Sequence, residues 1–252
     1  GSTNSVMVGY QAGYHPTGNY NTWVGYKAGY GVLDSGAENN VGIGRETLMN
    51  ITTANSTVAV GYRAGYNHTT GDDNTFIGVM AGHGNTTATS NVAVGKDALK
   101  ASQDSSTGGS NSVLGVAAGI VTTGLRNTML GFRAGYTATT ANSNVYIGYE
   151  AGAKNTTGDY NVYIGQKSGP STTSTESSKL YIHNDEGTPL IGGDFAAKEV
   201  NISGSVELIN GAITSNPGTN HLWASGATLF WGGSQLGTTT PGAGAIEGTA
   251  TA

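Results

Sequence analysis

Ten glycines divide the first two thirds of this chain into near-equal lengths. They are Gly9, Gly25, Gly44, Gly61, Gly78, Gly95, Gly115, Gly131, Gly148 and Gly165, spaced 16 to 20 residues apart with 17 the commonest interval. Each follows a Val, Ile or Leu, and eight are followed four residues later by a second Gly. A repeat of this length is too short for a pair of helices and too long for a heptad. It suits one coil of a parallel β-solenoid, in which each coil covers its neighbours.

With the glycine at position zero, position −1 is aliphatic in all ten coils, including Val24, Ile77 and Val94. Position −3 is Val or Thr in nine coils and Ser112 in the tenth. Residues two apart on a strand share a face, so −3 and −1 are expected to point inward. Position −2 varies (Met7, Trp23, Phe76, Met129, Tyr146, Tyr163) and is expected to face outward, available for contact between chains. Position −4 is Asn in eight coils, among them Asn21, Asn74 and Asn91, and its amide can bridge adjacent coils. Position +3 is Ala in eight coils and +4 is Gly or Leu, which implies close backbone approach. Each coil reads as strand, Gly corner (Gly25, Gly61, Gly78 and Gly95 among them), short second strand and a Thr-Thr-Gly-type turn. Ten coils stacked about 4.8 Å apart would make a rod on the order of 50 Å long.

Two further columns are expected on the surface. Position +1 is aromatic in five coils (Tyr10, Tyr26, Tyr62, Phe132, Tyr149), and position +5 adds Tyr14, Tyr30, Tyr66 and Tyr136. Position +2 alternates in charge through Lys27, Glu46 and Arg63, and again through Arg133, Glu150 and Lys167. Such exposed pairs contribute little stability, roughly 0–1 kcal/mol each, but they fix register.

Composition excludes several classes of function. There are 252 residues, 42 of them Gly, only 11% charged, and no Cys, so neither a disulfide framework nor thiol chemistry is available. A net charge of −5, thinly spread, offers no footprint for nucleic acid. No apolar run approaches the ~20 residues that span a bilayer, so membrane insertion is not expected. The five histidines, His15, His68, His83, His183 and His221, show no metal-ligand spacing. Asp72-Asp73 is read as a polar turn between coils rather than the separated carboxylate pair of a glycosidase. No cofactor and no catalytic residue is expected, and the chain reads as a non-enzyme.

Segments such as Asn21-Thr22-Trp23-Val24-Gly25-Tyr26-Lys27-Ala28-Gly29-Tyr30 and Asn74-Thr75-Phe76-Ile77-Gly78 resemble the repeats of bacteriophage tail fibres. They are also similar to the head repeats of trimeric autotransporter adhesins, whose shorter repeat carries Ser where this one has Tyr and Gly. The resemblance covers residues 4–169. It implies a trimeric parallel β-roll. The thin core agrees with this: two aliphatics and one Ala per turn barely offset the entropy of ordering about 17 residues, so packing against copies would help.

Three segments are expected. Residues 1–170 form the solenoid repeat shaft or head. Residues 171–236 form a β-strand region with strands intertwined among chains, a trimeric β-prism or triple-β-helix-like structure. Residues 237–252 form a low-complexity tail or linker. Val200, Ile202, Val206 and Leu208 suggest short alternating strands. His221-Leu222-Trp223 and Leu229-Phe230-Trp231 suggest a hairpin turning at Gly226.

The sequence therefore predicts an all-β homotrimer of about ten coils, a structural segment of a phage tail fibre in the virion. It presents a host-receptor-binding tip, with Trp223, Trp231 and His221 as candidate receptor contacts. Its partners are a host cell-surface glycan or protein receptor and other tail or fibre proteins. A trimeric adhesin head at a bacterial cell surface is the second reading. An ice-binding solenoid is the third, weakened because its Thr pairs sit in turns of variable length.

Overall fold

A computed structural model describes residues 4–101, 109–185 and 188–203, and the backbone of 222–225, 228–231 and 234–238. The described elements are all strands and turns, with no helix. Two compact units are present, Gly1–Ser203 and Gly204–Ala252.

In the first unit, ten three-residue strands follow one another at the repeat interval. They are β1 (Val6–Val8), β2 (Thr22–Val24), β3 (Val41–Ile43), β4 (Val58–Val60), β5 (Thr75–Ile77), β6 (Val92–Val94), β7 (Ser112–Leu114), β8 (Thr128–Leu130), β9 (Val145–Ile147) and β10 (Val162–Ile164). Each pairs in parallel with the next, position −3 on −3 and −1 on −1. This is the expected parallel solenoid of about ten coils. The longer intervals before Gly44 and Gly115 do not shift the register, because the extra residues lie in the connections. β11 (Lys179–Ile182) continues the parallel ladder on β10, and β12 (Ile191–Asp194) and β13 (Glu199–Ile202) then extend the same sheet in antiparallel fashion.

Two expectations about the coil are corrected. The inward column is −2, not the −3 and −1 pair. Trp23, Ala59, Phe76, Ala93, Val113, Met129, Tyr146 and Tyr163 are all buried, whereas Val24 and Val94 are half-buried and Ile77 is exposed. Nor does a second strand follow the corner. Position +2 has φ between 52° and 59° in all ten coils, a left-handed conformation that breaks strand geometry. Coil-to-coil hydrogen bonds continue through that stretch, as in Lys27 N–H to Tyr10 O at 2.9 Å and Arg63 N–H to Arg45 O at 3.0 Å.

Within the core, positions −2 and +4 compensate for one another in size. Where −2 is a ring, +4 is Gly: a Cβ on Gly29 would collide with the Trp23 indole, and one on Gly82 with the Phe76 ring. Where −2 is Gly42 or Ala93, +4 is Leu48 or Leu99, both buried. Trp23 also overhangs the next coil, so a Cβ at Gly42 would lie 2.7 Å from it. The corner glycines have a different cause. Gly61 has φ +131°, and its Cβ would lie 2.6 Å from the Gly78 carbonyl oxygen of the adjacent coil.

The asparagine column is buried. Asn21 donates to the Ala37 carbonyl at 2.8 Å and accepts the Asn40 backbone N–H at 2.9 Å. Asn74 and Asn91 repeat the pattern: Asn74 donates to Ala88 O at 2.9 Å and accepts Asn91 N–H at 3.0 Å, and Asn91 accepts Asn111 N–H at 3.1 Å. Buried amides left unbonded would be costly, so this chain of bonds locks coil to coil.

In the second unit, β14 (Leu222–Ser225) pairs antiparallel with β15 (Thr228–Trp231), and β15 with β16 (Ser234–Thr238). The β14–β15 pairing is the expected hairpin. Gly226, Val206 and Leu208 lie outside the described residues.

Candidate functional site

With −2 turned inward, the −3 and −1 columns form the outer face of the parallel sheet over its first ten strands. Sixteen of its twenty residues are Val, Ile or Leu; the others are Thr22, Thr75, Thr128 and Ser112, and none is charged. Val8 is 57% exposed, Leu114 50% and Leu130 43%. At about 4.8 Å per strand the strip is about 48 Å long, with on the order of 1,000 Å² of apolar surface, beyond the ~300–600 Å² patches usual on monomers. Parallel sheets are ordinarily covered on both faces. Here one face is covered by the coil's own narrow core and the other is open.

A second surface adjoins the glycine corner. Tyr10 stacks on Tyr26 and Tyr14 on Tyr30, each pair with ring centroids 5.6 Å apart. Tyr66 stacks on His83, and Phe132 on Tyr149. Cations lie over these rings: Lys27 over Tyr26 and Tyr30, Arg63 over Tyr62 and Tyr66, Arg133 over Phe132 and Tyr136. Glu46 lies between, 2.6 Å from Arg63 and 3.0 Å from Arg45, and the Arg63 and Arg45 guanidiniums hold its carboxyl below the usual range. Arg133 meets Glu150 at 3.6 Å. The alternating charges thus form adjacent-coil pairs, while Lys27 lies on its aromatic neighbours.

The remaining candidates separate. Asp72 accepts the Asn55 N–H of the preceding coil at 2.7 Å and so ties adjacent coils together; its neighbour Asp73 has φ +59° and is exposed. His68 is fully buried, donating from Nε2 to the Gly71 carbonyl at 2.6 Å, with its edge toward Phe76. Burial pushes its pKa down, opposed by that bond. Among the described residues no three His, Cys, Asp or Glu gather as a metal site, and no helix is long and apolar enough to cross a membrane. Trp223 sits mid-strand in β14 and Trp231 ends β15; these two are described by backbone alone, and His221 lies outside the described residues.

Sequence reasoning missed two inward columns. Position +7 is buried at Ile51, His68, Asn85, Thr122, Ala138 and Asn155 despite its mixed chemistry, and exposed at Val32 and Thr172, where the connection is longer. Position −7 is always small (Ala37, Ala54, Gly71, Ala88, Gly124, Ala141, Gly158), and carbonyls there receive the asparagine amides. The uniform smallness at −7 was the available signal; +7 carried none. Comparison with known protein families, curated protein sequences and solved structures finds no match.

Proposed function

We propose that this chain is a structural segment of a bacteriophage tail fibre, a parallel homotrimer that carries host-receptor-binding surfaces and has no catalytic role. The observation that carries the reading is the uncharged apolar strip on the open sheet face. Each partner in a stable interface contributes about 800 Å², and the strip is of that order. A second copy in register meets the same pitch and the same residue types at every coil. The absence of charge means that no ion is desolvated on closure. Three such ridges around one axis cover one another in a closed cyclic assembly, which is the state that the resemblance to fibre and adhesin repeats implies.

The ice-binding reading is less well supported. Hydroxyls of the turn threonines are used between coils, Thr52 donating to Thr69 O at 2.8 Å and Thr69 to Thr86 O at 2.9 Å. An ice-facing array needs such groups free and in a flat lattice.

Sedimentation equilibrium of the full chain tests the reading. A mass of three chains is expected, falling to one chain in Ile77→Lys/Leu130→Lys with the β-rich circular dichroism retained. A wild-type monomer at micromolar concentration would remove the trimeric fibre reading. Trp223 and Trp231 remain the proposed receptor contacts, checked by glycan and host-cell binding of Trp223→Ala.

A further inference from the structure

The regular coil ends at β10, and a cleft of about 640 Å³ opens there. That volume lies within the roughly 300–1,000 Å³ of small-ligand sites. The cleft lies between the connection after Gly169 and the β11–β12 turn. Its lining includes six Ser and Thr hydroxyls, the Glu176 carboxylate, the Tyr181 ring, and the rings of Pro170 and Pro189. No Lys or Arg is among its described lining residues.

The break in the repeat explains the opening. In the regular 17-residue coils the residue at +7 is buried, as in His68, Asn85, Ala138 and Asn155, and Asn155 donates to the Tyr146 hydroxyl; in the lengthened second coil Val32 is exposed. Counting from Gly165, the corresponding Thr172 and its neighbour Thr173 are exposed. One extra residue in this connection shifts the β10–β11 offset to 18, Val162 pairing with Leu180. The loop swings outward, and the Tyr163 hydroxyl is left buried with no partner among the described residues. Tyr181 is the last ring of the stack Tyr146–Tyr163–Tyr181 and lines the cleft, its hydroxyl donating to Glu176 at 3.3 Å. In the shaft, turn hydroxyls donate to the next coil: Thr139 to Thr156 O at 3.1 Å, Thr156 to Ser174 O at 3.0 Å. Beyond Ser174 no further coil follows, because β12 runs antiparallel. Thr172, Thr173 and Thr175 therefore present their hydroxyls to solvent.

We propose that this cleft binds an uncharged oligosaccharide. Hydroxyls that both donate and accept, beside a carboxylate that accepts from vicinal sugar hydroxyls, match a polyol's hydrogen-bonding surface. The Tyr181 ring and the two proline rings offer apolar walls to the C–H face of a sugar. Acidic sugars would meet the Glu176 carboxylate, and the two lysines beside the cleft are already engaged, Lys179 with Asp194 at 2.7 Å and Lys154 with the Ser171 carbonyl at 2.6 Å. The choice of a glycan as occupant rests on the receptor-binding reading above; the cleft and its chemistry do not.

The test is binding of the full chain to an array of neutral and acidic oligosaccharides, followed by calorimetry with the best neutral probe. Retention of a neutral oligosaccharide is expected, with Kd weakened at least tenfold in Glu176→Gln and at least threefold in Thr173→Val. Both side chains are exposed, so the thermal midpoint should not move; a third variant, Thr175→Val, repeats the test at a separate hydroxyl. Retention of acidic glycans alone, or no glycan retained, overturns the proposal. So does an unchanged Kd in all three variants, which would put binding elsewhere. A trimer that binds no glycan removes the cleft and leaves the fibre reading; a monomer that binds through Glu176 does the reverse.

Discussion

Single residues in this coil are chosen by the side chains that the fold sets against them. Gly82 shows this most clearly: its φ is +60°, and a Cβ there meets the Phe76 ring. Gly82→Ala combines a left-handed non-glycine with overpacking, each costing about 1–3 kcal/mol. It should lower stability by about 3 kcal/mol in urea denaturation. Gly36→Ala, with nothing within 4 Å of the added Cβ, should change it by less than about 0.5 kcal/mol. His68 supplies a pH dependence. Its folded pKa lies below the unfolded value near 6.5 because burial disfavours the imidazolium. The unfolded chain therefore binds more protons as pH falls, so this contribution is complete above about pH 6.5 and lost progressively below it. His83 and His183 are also lowered by burial and share the sign. The expected result is a thermal midpoint that drops between about pH 6.5 and 5, less steeply in His68→Asn. An identical slope in the variant would remove His68 as a source.

Strands and ladders act as repeating elements, and their interruptions are informative. Thr57 occupies the asparagine position of its coil. It receives Asn40 Oδ1 on its backbone N–H at 2.9 Å, but its hydroxyl turns to Asn55 O at 3.4 Å, so no side-chain oxygen at 57 accepts the Asn74 N–H. Thr57→Asn should restore the missing link and stabilise the coil by about 1 kcal/mol, the net worth of one buried hydrogen bond. Slower hydrogen exchange at the Asn74 amide would mark the new bond. The asparagine column, the aliphatic column and the parallel pairing were all legible, because each coil repeats them. The facing of the strand was not. A period of two defines two faces without saying which is inside, and the uniform −1 column looked like the core. In a coil this narrow the opposite holds. Inward residues share space with the coils on either side, so Trp23 demands Gly42, and Leu48 fills the coil whose −2 position is empty. Uniformity marks the face where every coil meets the same surroundings.

Over the whole molecule, the open strip makes stability depend on assembly. If three chains bury it, the melting temperature rises with protein concentration by mass action. Wild-type midpoints should therefore increase between about 1 and 100 μM, and those of Ile77→Lys/Leu130→Lys should not. Equal concentration dependence in both would indicate that the strip is not the interface.

The sequence by itself determined the parallel all-β coil, its length and count, and the glycine corners with their asparagine columns. Those follow from local sterics and from bonds that every repeat makes to the next. Only the tertiary structure decided which face is core, the pairing of −2 with +4 in size, the left-handed +2 residues, and the cleft where the last turn swings outward. Each of those depends on contacts across a corner or between coils, where a neighbour's volume, rather than a residue's own type, sets what is allowed.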